Sequence, residues 1–365
     1  MRSRFAAHLI EQDNPNPFPG IPALERRTGI SITTRLGSNE CLDAPMQALQ
    51  DRFGMQFCEL ARLYGDPECH ALRETLAVMN HVDLDEIVVD GGADALISLC
   101  LRAFCDPGDK VVCSAGTYPS FGYFARAAGC VIEEVAYHDD GHALQVDLQA
   151  LLDAVVRNEA KVVYIANPDN PTGSWQGIGD IAEFVTRLPE TCTLVLDEAY
   201  IDFCEALQPA FGGTLPGCVR LRSLSKAYAL AGLRVGYALA APDILEQLNK
   251  VRIHYAVGGL AQYAAQVALD DPRTLATLTE ASFIRDALTA HLSNLGFRVL
   301  PSGTNFVSLL LPSAQLAQSL VEYLLEQRIS VHRPRHPALD RLVRITLCAA
   351  ALDEPFLSIL QETSP

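Results

Sequence analysis

From Asp85 onward the chain alternates short runs rich in β-branched residues with stretches long enough to form a helix. The runs lie at 87–89, 110–113, 131–135, 161–166, 193–196, 219–221 and 236–240. They are almost continuously apolar, as strands are when helices cover both faces of their sheet. The alternation therefore predicts an α/β fold built on a mostly parallel sheet.

The last quarter of the chain has a different pattern. Residues 260–294 are alanine-rich with helical spacing and predict one long helix, which Gly296 is placed to end. Beyond it the pattern predicts strands at 297–300, 305–311, 329–332 and 342–347 and a helix at 314–327. We expect a smaller α+β domain here, joined by the N-terminal segment. The opening residues 13–22, rich in Pro, Asn and Gly, predict an extended arm.

Composition excludes several classes of protein. At 365 residues the chain is more than twice as long as a domain of roughly 150 residues, so we expect two domains or one large α/β body with an appendage. Its net charge of −16 would repel nucleic acid and anionic membranes. The odd count of 11 cysteines, without a CxxC pair, is typical of free thiols in a reducing compartment. Since neither a secretory signal nor an apolar run of about 18 residues is visible, we expect a cytoplasmic protein without membrane contact.

One segment carries an unusual arrangement of polar residues. Ser223, Ser225 and Lys226 follow a predicted strand, and Arg234 comes eight positions after the lysine. In isolation such a lysine is most often a solvated turn residue. Alternatively, partial burial and neighbouring cations keep a lysine amine nucleophilic, so that it can bind a carbonyl cofactor covalently.

Four motifs in order decide between these interpretations. They are Gly-Gly-Ala-Asp at 91–94, Asn-Pro-Thr-Gly at 170–173, Asp-Glu-Ala-Tyr at 197–200 and the segment 223–234. Over 39–344 the chain resembles the fold-type I, pyridoxal-phosphate-dependent class I/II aminotransferases, and most of all the histidinol-phosphate aminotransferases. The resemblance implies a large cofactor-binding domain over 46–284 with a mostly parallel seven-stranded sheet. It also implies a small domain formed by 1–45 with 285–365, a pyridoxal 5'-phosphate cofactor and a homodimer.

The resemblance assigns residues of this chain to the phosphate of the cofactor and to its ring nitrogen. Gly92 and Ala93 open a helix, so their N–H groups and the helix dipole can face a phosphate. Ser223 and Arg234 would add a hydroxyl and a permanent cation to the same phosphate. Asp197 ends an apolar strand, where a carboxylate needs a cationic partner. The family's partner is the pyridinium nitrogen, which makes the ring an electron sink.

Further residues surround the cofactor in the family. Lys226 is the lysine that binds it and moves the substrate proton. Asn170 and Tyr200 match the residues that hydrogen-bond the ring oxygen, and Tyr118 matches the aromatic that stacks on the ring. Tyr64 resembles the tyrosine that reaches the cofactor phosphate of the other subunit. Core packing and a surface turn are the simpler interpretations of Tyr118 and Tyr64, respectively.

The substrate side follows the family less closely. Arg344 matches the arginine for the substrate's acidic group, commonly a carboxylate. Arg333 lies near the arginine that histidinol-phosphate aminotransferases use for the substrate phosphate, although an exposed edge-strand charge is an equally simple interpretation. Asn39 and Glu40 match a segment that contacts substrate, but the Asn-Pro step of the family is absent after them, and Asp169 before Asn170 is not the usual residue.

The predicted function is transfer of an amino group from an amino acid or amino-alcohol phosphate to a 2-oxo acid in amino-acid biosynthesis. Alternatives that keep the cofactor are a threonine-phosphate decarboxylase and a transaminase for another amino acid, such as an aromatic one. A cofactor-sensing transcription regulator is disfavoured by the acidic charge, and a Rossmann dehydrogenase lacks its GxGxxG motif. The histidines lack the spacing of metal ligands, and no metal is expected.

Overall fold

The structure is a computed structural model that describes residues 8, 14, 17, 20–43, 46–53, 56–210 and 212–363. The described residues therefore exclude most of the predicted N-terminal arm. They also exclude residues 44–45, at the end of the segment that follows Glu40. Residues 21 and 22, the last of the predicted arm, open a helix.

The strands, in chain order, are β1 Thr34–Arg35, β2 Ile87–Asp90, β3 Lys110–Ser114, β4 Val131–Val135, β5 His138–Asp139, β6 Leu144–Gln145, β7 Val162–Ala166, β8 Thr193–Asp197, β9 Cys218–Ser223, β10 Gly236–Leu239, β11 Arg298–Leu300, β12 Phe306–Leu310, β13 Ile329–Ser330 and β14 Leu342–Thr346. The α-helices are α1 Ile21–Thr28, α2 Gln47–Phe53, α3 Gln56–Arg62, α4 His70–Asn80, α5 Ala93–Phe104, α6 Pro119–Ala127, α7 Leu148–Asn158, α8 Ile178–Arg187, α9 Pro242–Val251, α10 Gly259–Asp270, α11 Ala276–Asn294, α12 Ala314–Glu326 and α13 Glu354–Glu362.

The large sheet has seven strands in the order β2-β10-β9-β8-β7-β3-β4. β10 runs antiparallel to both its neighbours, and the other pairings are parallel. Residues of β7 and β9 are buried throughout, because helices cover both faces. One face packs against α5, α6 and α9, and the other against α7 and α8. The predicted α/β fold and its mostly parallel seven-stranded sheet are confirmed.

A second sheet of three antiparallel strands, β11-β12-β14, forms after the long helices. Its core combines residues of α11, α12 and α13 with those of β12 and β14. β1 pairs in parallel with β13, so Thr34 and Arg35 lie next to this part of the chain.

The prediction of one continuous helix over 260–294 is wrong. The structure has α10 and α11, separated by a 3₁₀ turn at Pro272–Leu275. Pro272 lacks the N–H that a continuous helix needs, and the Asp271 side chain caps the new turn by accepting from the Arg273 N–H. Gly296 has φ +87°, and its N–H bonds the Ser293 carbonyl, which confirms the predicted helix end.

Candidate active site

A cavity of about 710 Å³ opens at the carboxyl ends of β8 and β9, beside the first turn of α5. Ligands of open α/β sheets bind at this edge, because loops from neighbouring strands converge there. β14 of the second sheet and α1 complete the wall through Arg344 and Leu24. Both sheets and the N-terminal segment thus contribute side chains to one cavity.

The first turn of α5 forms one end of the cavity. Gly92 precedes the helix with φ +87°, and a Cβ on it would lie 2.8 Å from Nη2 of Arg234. Glycine is therefore needed for both the backbone conformation and the close approach of the guanidinium. Ala93, Ser223, Ser225 and Arg234 line this end. Helix N–H groups, hydroxyls and a guanidinium are the donors that a phosphate requires.

The Arg234 side chain is held loosely. Its Nη1 donates to Ser225 Oγ at 3.3 Å and to the Ala231 carbonyl at 3.2 Å, and its Nη2 lies 3.7 Å from Asp94 Oδ2. About half of the side chain is exposed (49%), so donors remain available to an anion. Ser225 was not among the predicted site residues, although it stands in the same motif.

Lys226 reaches the centre of the cavity. Its Nζ donates to the carbonyls of Asn39 at 3.2 Å and Ser38 at 3.4 Å, and lies 5.9 Å from the centroid of the Tyr200 ring. These two partners are neutral carbonyls rather than carboxylates, so an incoming carbonyl group would displace only weak hydrogen bonds.

Asp197 ends β8 and is 4% exposed. Its carboxylate accepts from the Tyr164 hydroxyl at 2.7 Å and from the Ala199 N–H at 3.0 Å. Burial raises the pKa of Asp197 to about 6. No cation pairs with it among the described residues, so a buried carboxylate faces the cavity ready for a protonated nitrogen.

Tyr200 and Asn170 meet on another wall. The Tyr200 hydroxyl accepts from Asn170 Nδ2 at 3.4 Å and from Asn39 Nδ2 at 2.9 Å. Asn39, predicted as a substrate residue, is 1% exposed and has φ +52°; its backbone N–H and side-chain oxygen both bond the Thr346 hydroxyl. Asn39 also lines the cavity, and its bond to Tyr200 could not be seen in the sequence.

Arg344 lies in the middle of β14 and is 3% exposed. Its Nη1 donates to Asn170 Oδ1 at 2.6 Å and its Nη2 to the Gly37 carbonyl at 2.7 Å. Burial lowers the pKa of Arg344, and its Nε has no hydrogen-bond partner among the described residues. A buried guanidinium without a carboxylate is unfavourable unless an anion binds beside it.

Tyr118 lines the cavity next to the α5 end. Its hydroxyl donates to Asp94 Oδ1 at 2.9 Å, and burial raises its pKa well above the usual value. The Asp94 contact holds the ring from its far end. Asp94 itself was predicted only as part of a motif.

Three further arginines line the cavity, one from α1 and two from the chain after β13. Arg333 donates from Nε to the Asp340 carbonyl at 2.8 Å and from Nη1 to Gln318 Oε1 at 3.1 Å, and it lines the cavity. Arg27 of α1 and Arg335 also line the cavity and were missed in the sequence, where nothing distinguishes them from surface charges.

Two residues that the sequence analysis assigns to the site do not line this cavity. Glu40 pairs with Arg35 at 3.0 Å and is absent from the cavity wall. Tyr64 is 87% exposed, and its ring lies 5.0 Å from that of Tyr255 on the surface.

Two further features concern the described part of the chain. Its His, Cys, Asp and Glu side chains form no group of three or more that could hold a metal ion. None of its helices combines the length and apolar character needed to cross a membrane.

Comparison with known proteins gives consistent matches over most of the chain. The family model for aminotransferase class I and II matches residues 31–360. Histidinol-phosphate aminotransferase 1 of Mesorhizobium japonicum is 31% identical in an alignment over 364 residues that covers 96% of this chain and 97% of the relative.

Solved structures agree. The histidinol-phosphate aminotransferase of Sinorhizobium meliloti, in complex with pyridoxal-5'-phosphate, superposes with a TM-score of 0.89 at 33% identity, covering 100% of this chain and 97% of that one. The L-threonine-O-3-phosphate decarboxylase of Porphyromonas gingivalis superposes with a TM-score of 0.74 at 25% identity, covering 90% and 98%.

Proposed function

This chain belongs to the class I and II aminotransferases, which are pyridoxal-5'-phosphate-dependent enzymes, and we propose that its amino donor is a phosphorylated amino alcohol of the histidinol-phosphate type. The amino group leaves the donor carbon, which becomes a carbonyl, and is delivered to the carbonyl carbon of a 2-oxo acid. The observation that carries the choice of donor is that Arg27, Arg333 and Arg335 line the cavity in addition to Arg234 and Arg344.

The residues present fit the cofactor. Its phosphate would be held by Gly92, Ala93, Ser223 and Arg234. The close approach of the Arg234 guanidinium to Gly92, which any side chain there would block, supports this role. Asp197 would pair with the ring nitrogen, which would supply the cation that this buried carboxylate lacks.

The remaining ring contacts follow. Asn170 and Tyr200 would bond the ring oxygen, Tyr118 would stack on the ring, and Lys226 would bind the cofactor covalently. When bound, the cofactor withdraws electrons from the substrate carbon that carries the amino group.

Chemistry by this chain's own groups centres on Lys226. Its amine, when not bonded to the cofactor, would take the proton from the substrate carbon that bears the amino group. The carbonyls of Ser38 and Asn39 would orient the amine during this step. Tyr200, bonded to Asn39 and Asn170, would keep the cavity polar beside the reacting carbon.

Two arginines would receive the acidic groups of the substrates. Arg344 would bind the carboxylate of the 2-oxo acid, which its buried and unpaired Nε supports. Arg333, fixed by Gln318 and Asp340, would bind the donor phosphate. We propose that Asn39 acts on the substrate through Tyr200, and that Glu40 acts only indirectly, by fixing Arg35.

The enzyme is proposed to be a cytoplasmic homodimer of amino-acid biosynthesis with large domain 46–284 and a small domain of 1–45 with 285–365. Exposed apolar residues next to Tyr64, among them Leu63 at 69%, support a contact with a second copy. In the dimer Tyr64 would reach the cofactor phosphate of the other subunit.

The visible absorbance of the purified, cofactor-loaded protein tests the donor. Adding histidinol phosphate should bleach the yellow band, and a 2-oxo acid should restore it. A yellow protein that does not respond to histidinol phosphate would reject the donor while keeping the cofactor.

A second candidate is decarboxylation of threonine phosphate, which the likeness to the Porphyromonas gingivalis enzyme favours. That substrate also carries a phosphate and an amine, so the same arginines could bind it. Release of carbon dioxide from threonine phosphate, without bleaching by histidinol phosphate, would establish this reaction instead.

A further inference from the structure

Asp169 is a buried carboxylate that the roles above do not use. It precedes Asn170 in the turn after β7 and is 0% exposed. No lysine, arginine or histidine pairs with it among the described residues. Isolated buried carboxylates are unfavourable, so its retention requires compensating hydrogen bonds.

Four donors supply that compensation. Asp169 Oδ1 accepts from the Thr117 hydroxyl at 3.1 Å, and both of its oxygens accept from the Tyr137 hydroxyl, at 3.1 and 3.0 Å. Oδ2 also accepts from the Thr172 hydroxyl at 2.7 Å and from the Thr172 N–H at 3.2 Å. Burial raises the pKa of the Asp169 carboxyl, and the hydrogen bonds from Thr172, Tyr137 and Thr117 oppose that shift.

Backbone bonds close the same turn that the two bonds from Thr172 to Asp169 Oδ2 span. The Asp169 N–H bonds the Ser174 carbonyl at 2.7 Å, and the Gly173 N–H bonds the Asp169 carbonyl at 3.0 Å. Ser308 of the second sheet also fixes the turn, by donating to the Pro171 carbonyl at 2.6 Å. The bonds from Thr117 and Tyr137 to the Asp169 carboxylate reach beyond this turn, so the side chain has a task that the backbone bonds do not perform.

That task is to join two loops. Thr117 directly precedes Tyr118, whose ring lines one side of the cavity, and Thr172 belongs to the turn that carries Asn170. We propose that Asp169 is a positioning residue, which fixes the Tyr118 loop to the Asn170 turn and so sets the slot for the cofactor ring. The inference rests on the proposed roles of Tyr118 and Asn170.

The test uses variants that keep shape. Asp169→Asn conserves volume but places an amide against hydroxyl donors, and Tyr137→Phe and Thr117→Val each remove one donor. Asn80→Ala is the control, because Asn80 is equally buried, bonds Leu76 and Tyr237, and does not line the cavity. For each protein we would measure the melting temperature, the pyridoxal phosphate dissociation constant and the circular dichroism of the bound cofactor.

We expect Asp169→Asn to raise the dissociation constant by about 10-fold and to alter the cofactor's circular dichroism, because the ring slot loses its fixed width. Tyr137→Phe and Thr117→Val should each raise the dissociation constant by about 3-fold, while Asn80→Ala lowers only the melting temperature.

Wild-type affinity and dichroism in Asp169→Asn, with only a lower melting temperature, would overturn the proposal. If Asp169→Asn fails to fold, wild-type affinity in both hydroxyl variants overturns it equally. Failure of the wild-type protein to bind the cofactor would instead reject the proposed cofactor-binding residues.

Discussion

Folding and cofactor binding favour different protonation states of Asp197. Burial raises its pKa from 3.8 to about 6, so between these values the folded protein binds more protons than the unfolded chain. The free energy of unfolding of the cofactor-free protein therefore falls as the pH rises through this window. At about 1.4 kcal/mol per pKa unit, the loss attributable to Asp197 is about 3 kcal/mol above pH 6.

We predict that Asp197→Asn removes this loss. Urea unfolding of the two cofactor-free proteins at pH 4 to 8 should show the variant gaining stability relative to wild type as the pH rises, with a plateau above about pH 6. The same variant should bind pyridoxal phosphate more weakly, since an amide cannot pair with a ring cation. Parallel stability curves across this range would contradict the pKa direction.

Lys226 carries the second prediction at this scale. Lys226→Ala should abolish the visible band of the covalently bound cofactor and lower kcat by roughly three orders of magnitude or more, because one group supplies both attachment and proton transfer. Lys250→Ala is the control, since Lys250 lies exposed on α9. Turnover near the native rate in Lys226→Ala would reject the assigned role.

The sequence could indicate Lys226 and Asp197 because each lies at the end of a predicted strand within a motif. It could not indicate Tyr164, which donates to Asp197 at 2.7 Å. Tyr164 lies inside the apolar run of β7, where the pattern predicts a core aromatic. Only strand register places β7 beside β8, with Tyr164 opposite Val195, two residues before Asp197.

At the scale of elements, α1 shows how a short helix divides its residues between cavity and solvent. Ile21, Leu24 and Arg27 line the cavity, as expected for positions three residues apart on one helical face. Arg26 is adjacent in sequence but lies about 100° around the helix from Arg27 and does not line the cavity.

We predict that Arg27→Ala raises KM for a phosphorylated donor by about 3- to 10-fold with little change in kcat, because a distant cation contributes to binding more than to chemistry. Arg26→Ala is the matched control and should leave KM unchanged. Steady-state kinetics with histidinol phosphate gives both values. Equal effects of the two substitutions would mean that α1 acts only through its stability.

Elements were predicted best where one pattern dominates. The seven strands of the large sheet follow from apolar runs, and their predicted ends differ from the observed ones by at most two residues. The break between α10 and α11 was missed because alanine-rich spacing continues on both sides of Pro272. Helical periodicity averages over such a window, whereas the break depends on one absent N–H group.

For the whole molecule, the sequence could predict which residues are reactive but not how separate parts meet. Asn39 bonds Tyr200, and Arg344 bonds Asn170, across 161 and 174 residues of chain, respectively. No local pattern encodes such contacts, because they depend on how the second sheet packs against the first. The same limit applies to contacts with a second copy of the chain. The Tyr64 side chain is 87% exposed and lies outside the cavity of its own subunit.

Mixed dimers would decide where Tyr64 acts. Tyr64→Ala alone should weaken cofactor binding by about 10-fold, through loss of a hydrogen bond to a charged phosphate. If Tyr64 completes the partner's site, a dimer of one Tyr64→Ala and one Lys226→Ala subunit has one site with both residues intact. Its activity at limiting cofactor should then exceed that of either parent dimer. If Tyr64 acts within its own subunit, one site lacks Lys226 and the other lacks Tyr64, so mixing restores nothing.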